Sequence, residues 1–258
     1  MALLLLLTAG SFAASRWAGG HGARRGSECV ASAGPSRFGL DREQARNATT
    51  IAAVAKRMGL PDHAVTVGLA AALQESKLRN LTYGDLDSVG LFQQRPSQGW
   101  GTRGHILVPS YAAAAFFSRL IQRPGWESLS VTAAAQAVQR SGAPAAYAQW
   151  EEPSRILAEA LTGEVAAGFT CRASVSSVGL RRQALVNAEH SELGDPGSGV
   201  RVSSARGWTV AAWMIGHATE YGIPSLDFAG QHWSARSGTW TSVATPTSDR
   251  SVVTVRAS

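Results

Sequence analysis

Glu75 is the residue of this sequence whose position best suits acid–base chemistry. It stands near the end of an Ala-rich apolar segment, four residues after Ala71, three after Ala72 and three before Leu78. In a helix that spacing places all four residues on one face, so the carboxylate lies on an apolar stripe. Partial removal from water favours the protonated form of a carboxylate, which is the form that a proton donor needs. The alternative interpretation is a solvated glutamate at a helix end.

Helical patterns surround Glu75 and predict a mainly α domain over residues 41–171. Asp41 and Gln44 have the spacing of a capping box at the start of the first helix. The segment 62–78 is apolar nearly all round, which is typical of a central buried helix. Further helices are predicted over about 109–122, after an N-cap at Ser130, and over 144–163 with a break near Pro153.

The composition changes after Cys171. Residues 172–177 are predicted to be a linker, and residues 178–258 a small α+β domain. Strands are expected over 181–189 and 197–204, a helix over about 207–221, and several short strands after it. The predicted fold class is therefore a mainly α domain followed by a small α+β domain.

The overall composition is that of a globular protein with few charges. Hydrophobic residues make up 45% of the 258 residues, charged residues make up 16%, and the formal net charge is +6. A mild basic excess favours anionic partners such as cell-wall polymers, membranes or nucleic acid. No basic–aromatic stripe or nucleic-acid motif is present, so we expect no nucleic-acid partner.

Residues 1–40 are predicted to be a signal segment or membrane anchor followed by a tether. Residues 1–14 contain an apolar run too short to span a bilayer but suited to the core of a signal peptide, although no positive charge precedes it. No other segment is apolar for long enough to span a membrane, which excludes a multi-pass transporter. We expect a secreted or membrane-anchored, extracytoplasmic protein that is a monomer.

The chain has two cysteines, Cys29 and Cys171, at the ends of the helical part. They are either buried free thiols or, if the chain is exported, a disulfide that joins the two ends of a domain.

The segment around Glu75 resembles the active-site segment of the lysozyme-like superfamily. Two pairs of residues and one four-residue turn carry the resemblance to goose-type lysozymes and soluble lytic transglycosylases: Glu75-Ser76, Gly84-Asp85 and Gly90-Leu91-Phe92-Gln93. Residues 137–147 are similar in place to a third transglycosylase motif. Residues 90–102, together with the flanking cysteines, are most similar to secreted proteins of high-GC Gram-positive bacteria.

The resemblance implies that Glu75 is the general acid that cleaves a glycosidic bond and that Asp85 orients a water. It implies a sugar-binding role for a set of polar and aromatic residues: Ser76, Gln93, Gln94, Gln98, Trp100 and Tyr147. The alternative for the loop residues is that their side chains satisfy the loop's own backbone. Three motif positions differ. Arg95 stands where goose-type enzymes have a second Asp, and Val138 and Gln139 stand where transglycosylases have a Tyr and an Asn. Tyr147 is the candidate to replace the missing Tyr.

The C-terminal segment resembles a module of secreted actinobacterial wall proteins that is distantly similar to zinc-dependent wall peptidases. The His and Asp ligands of such modules are missing from the matching loop and terminal strand, so we expect no metal and no cofactor. His190, His217 and His232 lie elsewhere and are predicted to have packing or surface roles.

Two functions follow as hypotheses. The first is a secreted protein that cleaves the glycan strand of peptidoglycan, as a lytic transglycosylase or a muramidase, through Glu75. The second is a non-catalytic protein that binds the wall, or supports it structurally, with a degenerate groove. In both, the partner is a glycan strand or another anionic wall polymer.

Overall fold

The computed structural model describes residues 28–140, 142–175, 179–195, 197–243 and 249–256. The predicted signal segment and most of the predicted tether lie outside these residues. Within them, no helix is both long enough and apolar enough to cross a membrane.

A three-stranded antiparallel sheet closes the ends of the helical part. Its strands are β1 (Cys29–Ala33), β2 (Ser36–Leu40) and β3 (Phe169–Cys171), in the order β2-β1-β3. Gly34, with φ +57°, supplies the positive φ that a two-residue hairpin loop needs. Residues 28–40 were predicted to belong to the tether; they form this hairpin instead, because pairing with β3 satisfies their backbone.

A disulfide links Cys29 to Cys171, which face each other across β1 and β3. Of the two alternatives for the cysteines, the bonded one is therefore confirmed. The bond closes a loop with a sequence separation of 142 residues. In the chain-entropy account, closing so long a loop stabilises the fold by about 5 kcal/mol before any strain is subtracted.

Among its described residues, the helical part has six α-helices. They are α1 (Arg42–Arg57), α2 (Asp62–Ser76), α3 (Arg103–Ile106), α4 (Pro109–Leu120), α5 (Val131–Gln139) and α6 (Glu151–Thr162). The capping box of Asp41 and Gln44 and the cap at Ser130 are confirmed. Helix α2 is the central buried helix, as predicted. The predicted break near Pro153 does not occur within α6, because Pro153 lies in the first turn of this helix, where no backbone N–H is needed.

The C-terminal part consists of three helices and a second antiparallel sheet. The helices are α7 (Arg182–Glu192), α8 (Ser204–Gly216) and α9 (Ala218–Tyr221); the strands are β4 (Ser225–Phe228), β5 (Gln231–Ser234), β6 (Thr239–Ser242) and β7 (Thr254–Arg256), in the order β6-β5-β4-β7. The strand predicted over 181–189 is wrong, because this segment forms α7 and buries Leu185 and Glu189. The strand predicted over 197–204 is also wrong, because Arg201 forms only an isolated bridge to Val252 and Ser204 already begins α8. The four strands predicted after the 207–221 helix are confirmed.

The two parts pack tightly against each other through α8. A Cβ placed on Gly216 would lie 2.5 Å from Oγ1 of Thr49 in α1, so only glycine allows this approach. A Cβ on Gly163, which follows α6, would lie 2.3 Å from the carbonyl oxygen of Ala205. Helix α1 therefore supports the C-terminal part on one side and α2 on another.

His217 is buried at this interface. Its Nδ1 lies 2.9 Å from the carbonyl oxygen of Trp213, and its Nε2 lies 3.4 Å from Oγ1 of Thr50 in α1 and 3.8 Å from the carboxylate of Glu192. Burial lowers the pKa of His217 below its ordinary value, and this outweighs the opposing attraction of Glu192 and Glu220. The fold therefore holds His217 in its neutral form.

We predict that the protein loses stability in acid through His217. The unfolded chain takes up this proton near pH 6.5 whereas the folded chain does not, so the free energy of unfolding falls as pH drops below that value, by at most about 1.4 kcal/mol per pH unit. Urea unfolding at a series of pH values measures the slope. His217→Gln should flatten it, and His190→Gln, at a side chain that is 74% exposed, should not. Equal slopes in wild type and His217→Gln would contradict the prediction.

Candidate functional site

Glu75 lies in the last turn of α2, half-buried, and is held by Tyr147. The ring of Tyr147 is fully buried, and its hydroxyl donates a hydrogen bond of 2.7 Å to Oε1 of Glu75. Tyr147 belongs to a 3-10 segment, Pro144–Trp150, that precedes α6. The structure therefore brings together the predicted acid and Tyr147, which was predicted to replace the tyrosine missing at position 138.

The end of α2 is fixed by α1. Lys77 and Leu78 adopt left-handed conformations, with φ +58° and +61°, which end the helix directly after Ser76. Gln44 donates its Nε2 to the carbonyl oxygen of Lys77 at 2.9 Å, and Asn47 donates its Nδ2 to that of Leu78 at 2.7 Å. Two side chains of α1 thus stabilise a backbone that non-glycine residues adopt only at a cost.

Ser76 connects Glu75 to the turn Gly90-Leu91-Phe92-Gln93. Its buried Oγ lies 2.8 Å from the carbonyl oxygen of Leu91 and 3.1 Å from that of Ala72. The next carbonyl of the turn, that of Phe92, accepts a 2.8 Å hydrogen bond from Nε2 of Gln139 at the end of α5. Because its hydroxyl points into the protein, Ser76 positions the turn against α2, and we no longer expect it to contact sugar.

The Gly84-Asp85 motif and the glycine turn form one unit. Gln93 has φ +47°, and its Nε2 donates to the carbonyl oxygens of Gly90 at 3.1 Å and Tyr83 at 3.3 Å. A Cβ placed on Gly84 would lie 1.9 Å from Oε1 of Gln93 and 2.8 Å from the carbonyl oxygen of Ser88. Glycine at position 84 therefore makes room for the amide of Gln93.

Asp85 is exposed on the same loop. Its neighbour Asp87 is bound by Arg95 at 2.7 Å and accepts hydrogen bonds from the backbone N–H of Ser97 at 2.8 Å and its hydroxyl at 3.0 Å. The Arg95 guanidinium and then the Ser97 N–H lower the pKa of Asp87 to about 2. Arg95 is thus part of a loop-stabilising ion pair.

The three remaining predicted sugar contacts differ in their exposure. Gln94 is buried, and its Nε2 donates to the carbonyl oxygen of Ala112 at 3.0 Å. Trp100 is 6% exposed, and the guanidinium of Arg119 lies 3.5 Å from the centroid of its ring. Gln98 is exposed. Of the predicted contacts, therefore, Gln93 and Gln98 remain accessible to a ligand, whereas Gln94 and Trp100 serve packing. Tyr147 is buried and contacts Glu75 instead of a ligand.

A second set of side chains beside Glu75 was not predicted as part of the site. Nε1 of Trp150 donates to Oε1 of Gln74 at 2.8 Å, and Nε2 of Gln149 donates to the same oxygen at 3.2 Å. Nζ of Lys77 lies 4.4 Å from the centroid of the Trp150 ring. Desolvation lowers the pKa of Lys77, and the carboxylate of Glu75 only partly offsets this. Gln74 and Lys77 lie within two residues of Glu75, and this closeness in sequence could have identified them as part of the site.

A cavity of about 360 Å³ lies at the opposite end of α2. Its lining is mostly polar and acidic: Asp62, His63, Thr66, Ser130, Val131, Glu151, Arg155, Ala158, Glu159 and Glu164. Desolvation, followed by the neighbouring Asp62, raises the pKa of Glu164. This cavity begins at the N-terminal turn of α2, whereas Glu75 lies in its last turn, so the two are separate features.

The part of the chain that the structure describes holds no group of three or more His, Cys, Asp or Glu side chains arranged for a metal ion. The sequence matches no protein-family model and no curated protein.

We predict that Gly84→Ala destabilises the loop that carries Asp85. The added methyl group has no room between Gln93 and Ser88, so the Gln93 amide and the turn must shift, at a cost of about 1–3 kcal/mol. Urea unfolding measures the change. Gly104→Ala is the matched control, because the nearest atom to its Cβ is 4.0 Å away. Equal stability of the two variants would show that the two motifs are not packed as described.

Proposed function

We propose that the protein cleaves the glycan strand of peptidoglycan, with Glu75 as the general acid. The observation that carries the proposal is the hydrogen bond from the buried Tyr147 hydroxyl to Oε1 of Glu75, at the point where Ser76 ties α2 to the glycine turn. A carboxylate held by a buried tyrosine at a helix end, next to an exposed loop, is positioned rather than merely solvated.

The geometry assigns different tasks to the two oxygens of Glu75. Tyr147 occupies Oε1, whereas Oε2 accepts no hydrogen bond from the described residues. Oε2 is therefore the oxygen that protonates the leaving oxygen of the glycosidic bond. The hydrogen bond from Tyr147 holds Oε1 in place, so that Oε2 keeps a fixed direction during the proton transfer.

The second half of the reaction has two possible routes. In a hydrolase Asp85 would orient the attacking water from its loop. In a transglycosylase the N-acetyl group of the substrate assists instead, and Glu75 then acts as the base. The ion pair of Arg95 with Asp87, at the position where goose-type enzymes carry a second Asp, favours the transglycosylase route.

The disulfide and the net charge of the chain suit a protein that acts on an anionic polymer outside the cytoplasm. A disulfide between Cys29 and Cys171 persists in an oxidising compartment, and this supports a secreted or membrane-anchored protein. The net charge of +6 supports attraction to wall polymers. We infer that peptidoglycan or another anionic wall polymer is the partner.

A non-catalytic wall-binding protein is the second candidate function. The ion pair of Arg95 with Asp87 supports it, because Arg95 stands where the resemblance to goose-type enzymes implies a second Asp, and a binding protein needs no such carboxylate. It differs from the first candidate in requiring no proton transfer at Glu75.

We predict that Glu75→Gln abolishes the loss of turbidity of purified cell walls, by about 100-fold or more, and leaves sedimentation of the protein with walls unchanged. Tyr147→Phe should lower the rate by about 10-fold to 100-fold, because it removes one hydrogen bond to a charged group. Glu127→Gln, at an exposed glutamate, is the control and should keep the wild-type rate.

Wild-type activity in Glu75→Gln would exclude Glu75 as the acid. If the wild-type protein sediments with walls but never clears them, the wall-binding candidate is the correct one.

A further inference from the structure

Three arginines lie close together at the C-terminal ends of α4 and α5. Arg119 stands in the last turn of α4, and Arg123 lies in the turn that follows this helix. Arg140 is the C-cap residue of α5. Burial lowers the pKa of Arg119, and the positive charges of Arg123 and then Arg140 lower it further. The other two arginines are therefore near enough to repel the guanidinium of Arg119.

Side-chain packing explains why the end of α5 lies beside α4. Nε2 of Gln139, the residue before Arg140, donates a 2.8 Å hydrogen bond to the carbonyl oxygen of Phe92. The ring of Phe92 stacks on that of Phe116 in α4, with 4.7 Å between the ring centroids. Arg119 follows Phe116 by three residues and so lies on the same side of α4. These contacts hold the end of α5 about one helical turn from Arg119.

The guanidinium of Arg119 has a fixed position. It lies 3.5 Å from the centroid of the Trp100 ring, and its Nη2 donates to the carbonyl oxygens of Gln98 at 3.1 Å and Gly99 at 2.9 Å. Its Nε and Nη1 donate to none of the described residues, so both remain available to a ligand. Nε of Arg123 is buried, which shows that this side chain is packed as well. Donors that are already held in place lose little conformational entropy when they bind.

The chain supplies no carboxylate to neutralise these three arginines. Residues 96–140 contain four arginines and a single acidic residue, Glu127. Within the described ranges, neither Glu127 nor any other carboxylate forms an ion pair with one of the three. The fourth, Arg103, donates to the carbonyl oxygen of Thr82. The dipole of each helix favours a cation at its C-terminal end, but it does not favour three cations that repel one another.

Arg140 occupies a backbone position that suits glycine better. Its φ of +51° lies in the left-handed region, which a residue with a side chain adopts only at a cost. Helix α6 ends in the same conformation on a glycine, Gly163, with φ +84°. Non-glycine residues in such conformations are enriched at functional sites. Arginine at position 140 thus accepts strain and places an exposed cation beside Arg119.

We propose that Arg119, Arg123 and Arg140 bind a phosphate group, either free or within an anionic polymer. Guanidinium groups bind phosphate and carboxylate through paired N–H donors. A phosphate has more acceptor oxygens than a carboxylate, so one phosphate can accept hydrogen bonds from several arginines at once. The site goes beyond the glycan cleavage proposed for Glu75 and does not depend on it.

The test is an NMR titration of the intact protein with inorganic phosphate, with a short linear polyphosphate and, separately, with acetate, following the Nε–H signals of the arginines. We expect saturable phosphate binding that is roughly tenfold or more tighter than acetate binding and that weakens as the salt concentration rises. Binding of polyphosphate alone assigns the site to a polymer, and binding of both phosphate probes assigns it to any phosphate group. Acetate binding as tight as phosphate binding, or no saturable binding of either phosphate probe, would overturn the proposal.

Two variants locate the binding on the protein. Arg140→Gly removes one cation and relieves the left-handed strain, so it should weaken phosphate binding by roughly tenfold while the urea midpoint stays the same or rises. Arg37→Gln is the matched control and should bind as the wild type does, because Arg37 is an exposed arginine of β2 that has no ion pair in the described part of the chain. Full binding in Arg140→Gly, or an equal loss in Arg37→Gln, would contradict the assignment to these arginines.

Discussion

The structure around Glu75 depends on how α2 ends. Two consecutive left-handed residues, Lys77 and Leu78, stop the helix, and each would be strained alone. The amides of Gln44 and Asn47 in α1 compensate by binding the carbonyl oxygens of these residues. Without these two hydrogen bonds the last turn of α2 could fray, and neither the carboxylate of Glu75 nor the hydroxyl of Ser76 would have a fixed position.

Helix α1 also packs against both the helical part and the C-terminal part. Gln44 caps α1 through Asp41 and at the same time holds the end of α2, so one side chain serves both helices. On another side of α1, Thr49 packs against Gly216 of α8, and Thr50 contacts His217 of the C-terminal part. The disulfide and the short sheet close the ends of the helical part, where β3 leads into the C-terminal part. The candidate acid is therefore supported by a helix that contacts both the helical part and the C-terminal part.

Sequence patterns predicted those features that depend on local chemistry. The capping box at Asp41, the cap at Ser130 and the apolar helix α2 follow from residue types at fixed spacing, and all three are present. The hairpin over residues 28–40 escaped prediction because its third strand comes from residues 169–171, far along the chain. The strand predicted over 181–189 was wrong because a short apolar run does not distinguish a strand from a helix, and the segment forms a helix that buries Leu185 and Glu189.

The same distinction applies within the candidate site. Glu75 and its glycine turn were found from sequence, but side-chain direction was not: Ser76 and Gln94 have sugar-binding chemistry and use it on backbone carbonyls. Trp150 and Gln74 were missed because their contact joins segments that are 76 residues apart. Direction and long-range contact come from tertiary packing, which residue type and spacing do not encode.

The central claim, that the protein breaks glycosidic bonds of peptidoglycan, is tested most directly by mass spectrometry of the soluble products after wild-type protein acts on purified cell walls. The account predicts glycan fragments, with anhydro ends for a transglycosylase or reducing ends for a hydrolase. Release of no glycan fragment by the wild-type protein would contradict it.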